Sequence, residues 1–111
     1  MNTTEYLLTK LIEELGEVQK ACTKALTFGL HDTWREDNEQ DLPKWDMTPL
    51  QELKHELNDV AGVLRLLEGH PSFPPGVECF VYHPNEDEIR AKVAKLLKMM
   101  PYSREKGTLT E

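Results

Sequence analysis

Two groups of carboxylates are spaced for shared chemistry: Glu13, Glu14 and Glu17, and, further along the chain, Glu52, Glu56 and Asp59. With about 100° between successive helical residues, the first group fills an arc of roughly 100° and the second an arc of about 60°. Each arc begins where an apolar stripe stops, so if the stripes pack together the acidic edges meet at one rim of the core. Converging carboxylates without counter-charge repel one another and resist desolvation; such a rim stays wet, takes up protons or binds cations. Oxygen donors in this number suit a hard divalent ion. Mg²⁺ takes one or two carboxylates, several waters and substrate phosphates, which fits a shallow site between helices. The alternative is a pair of solvated acidic faces, with Lys10, Lys20, Lys24 and Lys54 giving relief at i,i+3 and i,i+4.

The elements that must position these groups are helices. Leu8, Leu11, Ile12, Leu15, Val18, Cys22, Ala25 and Leu26 recur at helical intervals, which predicts a helix over 4–28 with one buried stripe. Asn2 and Glu5 form its capping pair and Gly29 its stop. Thr48, Pro49 and Gln51 make a second helix start, predicting a helix over 49–68 with Leu53, Leu57, Val60, Ala61, Leu64 and Leu67 as its stripe and Gly69 and Pro71 beyond its end. A third helix, capped by Asn85 with Glu88, carries Ile89, Val93, Leu96, Leu97 and Met100 and is expected to end at Pro101. Residues 30–48 are polar and mostly acidic and read as an inserted connection. Residues 69–84 form a Pro-rich loop in which Phe80 to Tyr82 is short and extended, and the YSREKGTLTE tail is polar.

At 111 residues the chain has room for one core, and the expected domain is 1–111. The expected fold class is an all-α helical bundle of three main helices plus the insertion. Three helices leave a bundle incomplete, so oligomerisation is expected to complete a four-helix core. Twenty acidic against 13 basic residues give a charge of -7, which opposes binding to nucleic acid or an anionic membrane. No stretch approaches the roughly 18 apolar residues of a membrane span, and the N-terminus lacks the pattern of a secretory signal. Cys22 and Cys79 make no disulfide framework. The expected location is the cytoplasm.

Glu13-Glu14-Leu15-Gly16-Glu17, followed by Glu56-Leu57-Asn58-Asp59-Val60, resembles the EE-x-x-E and E-x-x-D signature of the MazG-like all-α nucleoside triphosphate pyrophosphohydrolases. The resemblance extends over about residues 5–26 and 52–67, and more loosely over the third helix and tail. It implies hydrolysis between the α and β phosphates of a (d)NTP to give a monophosphate and pyrophosphate, in nucleotide pool cleansing or adjustment, with guanine nucleotides preferred by some members. Carried over by position, Glu14, Glu17, Glu56 and Asp59 look like ligands of Mg²⁺, for which Mn²⁺ can substitute. Glu13 would assist, so Glu13, Glu14 and Glu17 form the catalytic group. The resemblance also implies a homodimer or homotetramer, in a bacterial cytoplasm or, for a phage-borne member, that of the host. Related alternatives are a dUTP or phosphoribosyl-ATP type pyrophosphatase. An alternative of another class is a non-catalytic helical adaptor whose acidic rim binds cations or a basic partner.

The chain departs from compact relatives in its long gap between Glu17 and Glu56, and no clean counterpart exists for the basic residues that hold phosphates late in the chain. Lys92, Lys95 and Arg104 are the candidates, with Lys98 and Lys106 beside them. Trp34, near Phe28 and His31, is a candidate for stacking on a base, whereas Trp45 suits a cover over the core. His70, Cys79 and His83 match zinc spacing poorly. By helical phase His55 is expected to point away from the carboxylate arc.

Overall fold

The structure is a computed structural model that describes residues 1–31 and 47–111; Trp34 and Trp45, with most of the expected insertion, lie outside the described residues. Three helices are present, α1 (Thr3–Phe28), α2 (Pro49–Glu68) and α3 (Glu86–Glu105), and there is no strand among the described residues. The chain is all-helical. It divides into two compact units, Met1–Val81 and Tyr82–Glu111. No helix among the described residues is long and apolar enough to cross a membrane.

The first unit is a helical hairpin. At the head of α1, the Asn2 side chain accepts from Glu5 N at 2.8 Å, and the Glu5 carboxylate accepts in return from Asn2 N. At the head of α2, Thr48 Oγ1 accepts from Gln51 N at 3.2 Å and Gln51 Oε1 accepts from Thr48 N at 2.9 Å, with Pro49 in the first turn. Both reciprocal caps satisfy orphan donors that helix starts leave exposed. Gly29 and Gly69 then end the two helices at φ of 96° and 127°, values that side chains with a Cβ rarely adopt.

The helices run antiparallel. Lys24 near the end of α1 pairs with Glu52 near the start of α2, and at the other end Thr4 donates to the Glu78 carbonyl while Phe80 N donates to the Leu67 carbonyl. Leu50 N donates to the Leu30 carbonyl at 3.0 Å, so the inserted connection leaves and re-enters the hairpin at one point.

The seam between them follows a 4-3-4 spacing on both helices. On α1 the buried and half-buried positions include Leu7, Leu11, Glu14, Val18, Ala21 and Ala25; on α2 they include Pro49, Leu53, Glu56, Val60, Val63 and Leu67. This is the repeat by which two helices pack knobs into holes. Leu7, Ala21, Pro49 and Leu67 are the buried apolar side chains among the described residues.

The seam corrects the expected buried stripes. Leu11, Val18 and Ala25 lie on it, but Leu8, Ile12, Leu15 and Leu26 are 40%, 71%, 51% and 88% exposed, and Cys22 is exposed too. Leu57 and Ala61 of α2 are likewise exposed. The cause is geometric: the apolar arc on each helix is two neighbouring rows wide, and a single partner helix covers one row.

In the second unit, α3 begins where expected, with the Asn85 side chain accepting from Glu88 N. It does not end at Pro101 but continues to Glu105. Proline withholds its own donor and its ring crowds the carbonyl four residues back, but the turns after it are closed by other donors: Lys106 N on the Tyr102 carbonyl, and Thr108 N and Leu109 N on that of Ser103. The tail therefore folds back over the last turn, and Arg104 Nε donates to the Glu111 carbonyl. Phe80 to Tyr82 form no strand, and neither Cys22 nor Cys79 forms a disulfide.

Replacing Thr48 with Ala removes one partner from the α2 cap and is expected to lower stability by about 1 kcal/mol in denaturant titration, with Thr48→Ser close to wild type. Equal stability of all three chains would show that Pro49 alone fixes the helix start.

Candidate metal centre

The seam carries acids where its spacing calls for apolar residues. Glu14 on α1 and Glu56 on α2 both occupy seam positions and both are half-buried. Glu17 lies one turn beyond Glu14, and Asp59 one turn beyond Glu56, on the same side of the seam. The Glu56 carboxyl is held above its ordinary value, first by partial burial and then by the charges of Asp59 and Glu17, with a smaller push from Glu14; His55 acts in the opposite sense. Carboxylates from both helices therefore act on one group across the seam.

The remaining acids are engaged differently. Glu13 stands outboard, half exposed, and its carboxylate accepts from Lys10 Nζ at 3.1 Å, the i,i+3 relief its spacing provides. That bond, together with the Glu13 charge, raises the Lys10 pKa, and the ammonium also lies 5.3 Å from the centre of the Tyr6 ring. Glu52 is taken by Lys24 at 2.9 Å, with both side chains about one-fifth exposed. Lys24 thus bridges the helices, which its spacing within α1 did not reveal.

His55 corrects its expected orientation. Its Nε2 lies 3.7 Å from Asp59 Oδ2, because an i,i+4 step returns to within about 40° on the helix. His55, Glu56 and Asp59 each offer a ligand atom, all within 4.8 Å of one another. Mg²⁺ bound at 2.0–2.1 Å spans at most about 4.2 Å between opposite ligands, so small rotamer changes bring these atoms within reach of one ion. That group of two carboxylates and one imidazole suits a divalent cation; Glu14 and Glu17 stand outside it, across the seam, where their charges act on Glu56.

Beyond Glu17, Lys20, Lys24 and Phe28 continue the Glu13–Glu17 side of α1 and border a hollow of about 470 Å³ on the outer face of the helix, lined also by Gly16, Gln19, Thr23 and Thr27. Its lysines and its aromatic end were legible from the 100° arithmetic that groups Glu13 with Glu17, had it been continued past Glu17. The expected phosphate ligands Lys92, Lys95 and Arg104 stand on α3 in the second unit, with Lys98 on the same helix and Lys106 just past its end over the Tyr102 ring. Trp34 lies outside the described residues. In the Pro-rich loop, His70 Nδ1 is bonded to Ser72 Oγ at 2.7 Å, and the Cys79 thiol donates to the Val77 carbonyl.

Comparison with known proteins finds no matching family model, no matching curated protein and no matching solved structure.

The raised Glu56 pKa fixes the sign of a pH effect. The folded chain holds this proton more tightly than the unfolded chain does, so the fold loses stability as pH rises from the ordinary carboxylate value of 4.5 through the raised one. Glu56→Gln removes that loss. Its Tm is expected to exceed wild type by about 1–3 °C at pH 7 without divalent ions, with the gap closing below about pH 4. A lower Tm for Glu56→Gln at pH 7 would mean that the carboxylate supports the seam rather than straining it.

Proposed function

We propose that the chain is a metal-dependent nucleoside triphosphate pyrophosphohydrolase of the MazG-like type, which cleaves a (d)NTP to a (d)NMP and pyrophosphate. The observation that carries this is the pair of half-buried acids, Glu14 and Glu56, at apolar seam positions beside Glu17 and Asp59. Two acids in a helical seam weaken packing, and a cation that binds between them offsets that cost. The surrounding sequence supports the same reading, since these four positions are the ones that the EE-x-x-E and E-x-x-D resemblance assigns to metal.

Glu14, Glu17, Glu56 and Asp59 would hold Mg²⁺ or Mn²⁺, with His55 beside them. When bound, the metal offsets repulsion between a -7 chain and a triphosphate and polarises phosphoryl oxygens. Glu13 stands next to Glu14 at the exposed edge, where a carboxylate can take a proton from the attacking water. Lys20 supplies positive charge along the α1 hollow, where Lys24 is already paired with Glu52, and Phe28 offers a ring against which a base can stack. These residues give the phosphates a route away from the acids and toward compensating charge. Such an enzyme would work as a homodimer or homotetramer on the cytoplasmic nucleotide pool. A dUTP or phosphoribosyl-ATP substrate would use the same acidic frame.

Product analysis tests the reaction. Incubation with Mg²⁺ and a panel of ribo- and deoxynucleoside triphosphates is expected to release monophosphate and pyrophosphate in equal amounts. A chelator is expected to abolish turnover, and Asp59→Ala or Glu17→Ala to lower it by at least about 100-fold with helical content unchanged. Phosphate release, or full activity in both variants, would reject the assignment and favour an acidic adaptor.

Lys20→Ala is expected to raise KM about 10-fold while kcat stays within about 3-fold, the pattern of lost uniform binding. An unchanged KM would remove the α1 hollow from the substrate path.

A further inference from the structure

The three donors that α2 brings together are not of one kind. Glu56 and Asp59 offer carboxylate oxygen, whereas His55 offers a ring nitrogen, and the three ligand atoms lie within 4.8 Å of one another. Helix geometry sets this tripod: with about 100° per residue, Asp59 falls between the other two on the circumference, about 40° from His55 and about 60° from Glu56. Glu56 is half-buried at the seam, while His55 and Asp59 are exposed, so the group has one anchored arm and two that face solvent.

The spacing within the tripod separates a ligand pair from a bonded ion pair. His55 Nε2 and Asp59 Oδ2 stand 3.7 Å apart. A hydrogen bond between nitrogen and oxygen spans about 2.7–3.2 Å. Two ligands of one ion stand further apart: with bonds of about 2.1 Å, neighbouring donors are about 3.0 Å from each other and opposite donors about 4.2 Å. The observed distance lies in that second window. As an exposed ion pair on one helix, His55 and Asp59 would add little to stability.

Donor type also discriminates between ions. Mg²⁺ takes oxygen and gives up its waters reluctantly, so an imidazole adds little to its binding. The later divalent ions of the first transition row bind imidazole strongly. We infer that His55 is a nitrogen ligand of the proposed centre and determines its metal specificity, so that a transition ion of the Fe²⁺ to Zn²⁺ series is held in preference to Mg²⁺. The inference rests on the metal-centre reading of Glu56 and Asp59 and adds to it the choice of ion.

Binding of the metal alone tests it, on the full chain and without nucleotide, at pH 7.5, where an ordinary imidazole is mostly neutral. Calorimetric titration is expected to show Co²⁺ bound more tightly than Mg²⁺. His55→Gln is expected to lower the Co²⁺ affinity at least about 10-fold and to change the Mg²⁺ affinity by less than about 3-fold, with helical circular dichroism retained. His83→Gln, in the Pro-rich loop, serves as the control and is expected to leave both affinities unchanged. A second readout needs no variant of the site: with ¹⁵N-labelled histidine, Zn²⁺ is expected to shift a His55 ring nitrogen resonance, and Mg²⁺ to leave it in place. Mg²⁺ bound as tightly as Co²⁺, equal losses for the two ions in His55→Gln, or a His55 ring that Zn²⁺ does not shift would each overturn the role of His55, while binding abolished by Asp59→Ala would leave the metal centre standing. Binding that survives Asp59→Ala, or no binding of either ion, would overturn both.

Discussion

The hairpin is built around a cost, two carboxylates sitting where its packing asks for hydrocarbon. Glu14 and Glu56 take their places in a 4-3-4 seam that is otherwise Leu, Val, Ala and Pro. A seam of this kind gains most of its stability from apolar contact along its length. Two acids near its middle forgo that contact, and the Glu56 carboxyl is held above its ordinary value first by partial burial and then by the charges of Asp59 and Glu17. The ends of the hairpin hold what the middle does not: the Lys24–Glu52 bridge and the Leu50–Leu30 bond at one end, and the Thr4–Glu78 and Phe80–Leu67 bonds at the other. Reciprocal caps on both helices then fix where each helix starts, and thereby which residues face the seam.

Local chemistry made the helices legible. Asn2 with Glu5, Thr48 with Pro49 and Gln51, and Asn85 with Glu88 each announce a start within four residues, and Gly29 and Gly69 each mark an end, so α1 and α2 are placed almost to the residue. Pro101 misled because a proline's effect depends on what closes the turns after it, and here those donors come from the folded-back tail. The carboxylate rim was legible from the 100° step. Which apolar row it flanks was not, because an arc that includes Leu8, Leu11, Ile12, Leu15 and Val18 is wide enough for two seams, and periodicity does not say which one a partner helix fills. His55 departs from its expected orientation because its neighbour on the helix face is Asp59, four residues on, and not Glu56 beside it in sequence. Lys24 reaches Glu52 across the hairpin, a pairing that spacing within one helix cannot reveal.

Acids within the seam and a second apolar row beside it are two departures from the pattern of a self-sufficient hairpin, and they lie on opposite sides. Each departure is a cost to an isolated protomer. Exposed leucines forgo burial, and crowded carboxylates raise the free energy of the fold. Sequences that break local packing rules tend to do so where a ligand or partner supplies the missing term. On one side that term is positive charge; on the other it is hydrocarbon.

Their separation also sets which side of a chain of charge -7 a second copy would meet at the lower electrostatic cost. Bringing together two copies through the acidic side would set eight or more carboxylates against one another at short range, where Coulomb repulsion is least screened. Contact through the Leu8–Leu26 row instead leaves the acidic sides on the outer surfaces of a two-layer bundle. There they stand roughly 20 Å apart, about two interaxial spacings and well beyond the ~8 Å Debye length of physiological salt. Repulsion between the copies is then largely screened, while both rims stay open to cations and to a charged substrate. The seam thus keeps the apolar row and the acidic rim on opposite sides of the same pair of helices.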